Sequence, residues 1–134
     1  MVSRRAVLAS VFIGLMLISG PAAAQVGPGH AYAAEAAIMS AGTRAAAVSR
    51  LRGVPSVGVI RLYVRYTPFM SSDWPDVAEW QILAQKFRPG VQRLRAALSA
   101  NPATRTALTS RGIAIGRVVG IDIYSNGSIR VYLL

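Results

Sequence analysis

Apolar side chains recur at Val77, Trp80, Ala84, Phe87, Val91, Leu94 and Leu98. The steps alternate three and four, which on a helix of 3.6 residues per turn keeps the whole series on one side. A strand cannot use that pattern, because its side chains change face at every residue. This part of the chain is committed to a long helical stripe that needs an apolar partner. Pro89-Gly90 falls inside the stripe and removes an amide donor, which predicts a kink or two helices in register. With that interruption the stripe is too short for a coiled-coil seam, so it is expected to pack on a sheet of the same chain.

The chain offers that sheet in three runs. Ser56 to Tyr66 (SVGVIRLYVRY) is rich in β-branched and aromatic residues and reads as a strand. Ile60, Leu62, Val64 and Tyr66 make its apolar face, and Arg61, Tyr63 and Arg65 the other. Ile113 to Tyr124 and Ile129 to Leu134 flank Ser125-Asn126-Gly127-Ser128, and Asn-Gly between β-rich runs is a strong hairpin signal. With Asn126-Gly127 as a two-residue type I′ loop, Tyr124 falls opposite Ile129, Ile123 opposite Arg130 and Asp122 opposite Val131. Val119, Ile121, Ile123, Ile129, Val131 and Leu133 then leave apolar side chains on both hairpin faces.

Three further signals complete the order. The alanine-rich stretch from His30 to Arg52 has helical periodicity and a stop at Gly53. Asp73 is expected to cap the stripe helix, with Pro75 in its first turn and Asp76 and Glu79 at the positive end of its dipole. Asn101-Pro102 opens a short helix that runs to Arg111 and stops at Gly112. The predicted fold is α+β, in the order αβααββ. It has a small antiparallel or mixed three-stranded sheet with helices packed on one face, and it occupies residues 30–134 as one domain.

Residues 1–24 read as an export signal. Arg4 and Arg5 precede the uncharged apolar run Ala6 to Ser19, Gly20-Pro21 breaks it, and Ala22 and Ala24 offer small residues for cleavage before Gln25. Residues 25–29 are then a linker. The expected location is the periplasm or the exterior. Two alternatives stay open. An uncleaved anchor would have to extend the run past Pro21, since a spanning helix needs about 20 residues. The twin-arginine route is suggested by Ser3-Arg4-Arg5-Ala6-Val7-Leu8, but Val7 stands where Phe or Leu is usual, and the general secretory route is the favoured reading.

Beyond the signal the chain has thirteen basic against five acidic residues, a net charge of +8, and all but Lys86 of the basic ones are arginine. Arginine matches phosphate and carboxylate with a planar fork, so an anionic partner is implied. A GC-rich coding composition gives the same arginine excess. With no cysteine there is no disulfide and no thiolate metal site. The single histidine, His30, sits beside the linker with no catalytic companion, and neither GxGxxG nor a P-loop occurs. Asp73, Asp76 and Glu79 share a helix face, which a capped helix start explains, and no EF-hand spacing exists. Asp122 is the odd acid in an apolar strand, expected either to pair with an arginine across the sheet or to face solvent. No catalytic, metal or cofactor residue is assigned.

The remaining candidate is a surface. Arg61, Tyr63 and Arg65 share a strand face, and Arg130 joins them if the hairpin enters the same sheet. Arginine and tyrosine together on an open face bind extended anions by ion pairing and stacking. Export removes the chain from nucleic acid, which leaves anionic lipid, lipopolysaccharide or an acidic wall polymer as the expected partner. The other reading is a protein-interaction module, an inhibitor or accessory subunit of another exported protein. It would use an apolar hairpin face, and that face could equally be a homodimer seam.

Overall fold

The computed structural model describes residues 28–63 and 75–134. The signal segment, Arg65, Asp73 and the run between Val64 and Trp74 lie outside the described residues. The described chain runs α1 (Pro28–Met39), α2 (Ala41–Ser49), β1 (Val57–Arg61), α3 (Val77–Lys86), α4 (Arg88–Ala100), α5 (Pro102–Thr109), a 3-10 turn (Ile115–Arg117), β2 (Val118–Ile123) and β3 (Ile129–Leu133). The fold is α+β, and its sheet is mixed. β3 lies in the middle, parallel to β1 and antiparallel to β2. A parallel pair cannot be closed by a tight turn. The connection from β1 to β3 accordingly runs through α3, α4, α5 and β2.

The alanine-rich stretch is two helices rather than one. The break falls at Ser40, whose hydroxyl donates to the Ala36 carbonyl at 2.6 Å, a back-bond that bends helices. Beyond it, Gly42 and Gly90 bring α2 and α4 into backbone contact. A Cβ on Gly90 would lie 2.9 Å from Gly42 N. The Pro89-Gly90 interruption predicted from the stripe is the α3–α4 junction, with Phe87 shared between the two helices.

Asp76 caps α3, not Asp73. Its carboxylate accepts from the Glu79 amide at 2.9 Å, so Pro75 precedes the helix. Asn101 caps α5 as expected, accepting from Ala103 N at 2.7 Å. Its amide nitrogen also donates to the carbonyls of Val48 (2.7 Å) and Leu51 (2.9 Å), which ties the exit of α2 to the α4–α5 corner. Gly112 follows the end of α5 in the left-handed region, with φ 70°.

The strands are shorter than their sequence signals. β1 stops at Arg61, and the run from Ile113 passes through a 3-10 turn at Ile115–Arg117 before it becomes β2 at Val118. The stripe packs as expected at Trp80, Val91, Leu94 and Leu98, which are buried, whereas Phe87 is half-buried and Val77 is exposed. Ile60 and Tyr132 are buried on one face of the sheet, and Ile121, Ile129 and Val131 on the other. Packing on a single face is therefore corrected: the chain covers both. The apolar hairpin side chains that would have formed an interface are spent in its own core.

The hairpin register differs from the predicted one by a residue. Ile123 faces Ile129, Asp122 faces Arg130 and Ile121 faces Val131. The loop has three residues, Ser125 to Gly127, closed by Gly127 N to Tyr124 O and Tyr124 N to Ser128 O, each 2.9 Å. Only Gly127 has a positive φ, 91°, so this is the type I turn with a glycine bulge rather than type I′. A Cβ on Gly127 would also meet Gly53 O at 2.9 Å. Gly127→Val is expected to cost about 1–3 kcal/mol from backbone strain, with the contact added to it. A melting temperature equal to that of the native chain would contradict this turn.

Candidate anion-binding site

β1 carries Arg61 at its last position, paired in register with Leu133, which in turn pairs with Val118. The chain then turns at Leu62 and Tyr63, Leu62 N donating to Leu133 O at 2.8 Å. On the other side of the sheet, Leu134 N donates to Arg117 O at 3.0 Å. These pairings bring the end of β1 and the start of β2 to one end of the sheet. There the Arg117 guanidinium lies over the Tyr63 ring, 4.5 Å from its centre. Its Nε also donates to the Leu134 carbonyl at 3.0 Å. Arg61, Tyr63 and Arg117 are all exposed.

This end of the sheet can present two guanidinium groups and a phenol ring to an anion. The ring holds Arg117 at a defined distance, and such a contact is worth about 0.5–1 kcal/mol at an exposed site. Arg117 was not legible as part of the group, since 56 to 54 residues separate it from Arg61 and Tyr63 along the chain. Only the strand pairing brings it there.

Arg130 is elsewhere. It pairs with Gly58 of β1, not with Arg61, and alternation sends its side chain to the opposite face. There it meets Asp122, whose place across the hairpin follows from the three-residue loop. Arg130 donates to Asp122 Oδ2 from Nη2 at 3.0 Å and from Nε at 3.3 Å. The Tyr132 hydroxyl donates to the same oxygen at 2.5 Å. Arg44, from α2, donates to Asp122 Oδ1 at 2.6 Å and to the Ile121 carbonyl. Of the two expectations for Asp122, the cross-sheet pair is the one found.

The cluster is half-buried, and its chemistry follows from that. Burial pushes the Tyr132 phenol far above its ordinary range, and the hydrogen bond to Asp122 pushes it further. Burial also raises Tyr124. Burial works to lower Arg130, but Tyr132, Asp122 and Tyr124 outweigh it and the net shift is upward. Arg130 stays charged and both tyrosines stay neutral at physiological pH. Neither tyrosine and not Arg130 is poised near neutrality for proton transfer.

Among the described residues no group of three or more His, Cys, Asp or Glu side chains is placed to hold a metal ion, and no helix is long and apolar enough to cross a membrane. No family model matches the chain, and no curated protein and no solved structure matches it.

Proposed function

We propose that this chain is an exported, non-enzymatic binding protein that meets an anionic envelope surface, an anionic lipid headgroup first of all, through Arg61, Tyr63 and Arg117. The observation that carries the reading is the Arg117 guanidinium stacked on Tyr63 at 4.5 Å, at the end of the strand that Arg61 closes. The net charge of +8 beyond residue 24 supports it by drawing polyanions from a distance. The signal-like residues 1–24 support a periplasmic or secreted address, where lipid phosphates, lipopolysaccharide and wall polymers supply the negative charge. Arg65 belongs to the same expectation by its place two residues beyond Tyr63.

The test is cosedimentation of the chain with phosphatidylglycerol vesicles. Each arginine near such a surface contributes about 1 kcal/mol, so Arg61→Gln with Arg117→Gln should weaken binding about 30-fold. Arg105→Gln with Arg111→Gln, exposed positions on α5 and just beyond its end, should weaken it much less. Equal losses would reduce the site to bulk charge.

A protein partner is the second reading, and one observation favours it. Tyr32 and Met39 on α1 and Ile82 on α3 are 74%, 54% and 70% exposed, and α1 touches α3. Association through such apolar side chains would persist in high salt, whereas lipid binding through arginine would not.

A further inference from the structure

The Asp122 cluster opens into a cleft of about 550 Å³, formed between α1, α2 and the hairpin. Ligand pockets usually fall at about 300–1,000 Å³. Ala33, Ala47, Ile123 and Tyr124 supply its apolar wall, and Arg44 and Arg130 its charge. We propose that this cleft is a binding site for a small organic monoanion, with a carboxylate or phosphate head on the two arginines and an apolar body against that wall.

Three features carry the assignment. The first is charge. Two guanidinium groups against one carboxylate leave a local excess of one positive charge, which a monoanion would balance. The second is the use of donors. Asp122 takes Nη1 of Arg44 and Nε and Nη2 of Arg130. Nε and Nη2 of Arg44 and Nη1 of Arg130 enter no hydrogen bond among the described residues, so they remain for a ligand. Asp122 itself receives one donor on Oδ1 and three on Oδ2, so it orients the arginines and has little capacity left to attract a cation. The third is rigidity. Arg130 is fixed between two rings, 5.7 Å from the Tyr132 centre and 6.0 Å from the Tyr124 centre. Its side chain is only 12% exposed, so little conformational freedom is left to lose on binding.

This site lies on the opposite face of the sheet from the Arg61 side chain and does not depend on the lipid reading. The test is amide chemical-shift titration of the whole chain with benzoate, phenyl phosphate and the neutral analogue benzyl alcohol. Saturable shifts at Ala47, Ile123, Tyr124 and Arg130 with either anion, and none with benzyl alcohol, are expected; the tighter anion names the head group. Arg44→Gln should weaken the anion about tenfold, the loss of one charge-assisted contact. Ala47→Met, which fills the cleft and keeps every charge, should weaken it as much, while Arg105→Gln should change nothing. Arg44→Gln should leave vesicle binding unaltered, which separates this site from the one at Arg61. Unsaturable shifts, equal response to benzyl alcohol, or native affinity in both Arg44→Gln and Ala47→Met would overturn the site.

Discussion

Asp122→Ala is expected to destabilise the fold by about 3 kcal/mol, the low end of the cost of removing one partner from a buried ion pair, because the cluster is only half-buried. The aspartate, on β2, is the hub of three side chains, Arg44 from α2 and Arg130 and Tyr132 from β3. Without it, Arg44 and Arg130 repel across the cleft and the Tyr132 hydroxyl loses its acceptor. Asp122→Asn keeps an acceptor oxygen and loses the charge, so a smaller cost is expected. Denaturant titration measures both. A loss below about 1 kcal/mol for Asp122→Ala would mean that water replaces the carboxylate freely, as it does for exposed pairs.

Trp80→Ala is expected to cost at least as much, about 3–5 kcal/mol. Trp80 is 1% exposed and is the largest side chain in the core, held on the first turn of α3 by the Asp76 cap. Ile82 on the same helix is 70% exposed, and Ile82→Ala should stay within about 0.5 kcal/mol. The pair separates the inner face of α3 from its outer one in a single experiment. Equal and small losses would place the stripe outside the core.

The same contrast shows how far the sequence can be read. Spacing places Trp80, Val91, Leu94 and Leu98 inside correctly, because a helix repeats its face regardless of what it packs against. It places Val77 and Phe87 less well. Val77 is the first residue of α3 and Phe87 lies at the joint with α4, and at helix ends the packing partner is no longer set by periodicity. Strand lengths were over-read for a related reason. Ile113 and Ile115 extend the strand signal upstream of β2, yet residues 115–117 wind into a 3-10 turn and meet the sheet through the Arg117 carbonyl, which accepts from Leu134 N.

The candidate sites were legible only in part. Arg61 and Tyr63 are adjacent in the pattern of one strand, and they remain together at its end. The Asp122 cluster depended on the hairpin register, and Asn-Gly permits both a two-residue and a three-residue loop. A slip of one residue moves a side chain to the other face. The observed loop puts Asp122 opposite Arg130 and not opposite Val131. Arg44 reaches the cluster across 78 residues of sequence, which no local spacing encodes. A single acid in a run of valine and isoleucine was the one visible signal that something had to satisfy it.

The most direct test of the lipid-binding account is vesicle binding by the unsubstituted chain, compared on anionic and neutral membranes at low and high salt. The account predicts binding to phosphatidylglycerol vesicles at low salt, a steep loss as salt rises, and little binding to phosphatidylcholine at either concentration. The chain used begins at Gln25, the expected mature start, so that the apolar residues 6–19 do not contribute. Equal binding to both membranes, unaffected by salt, would contradict the account.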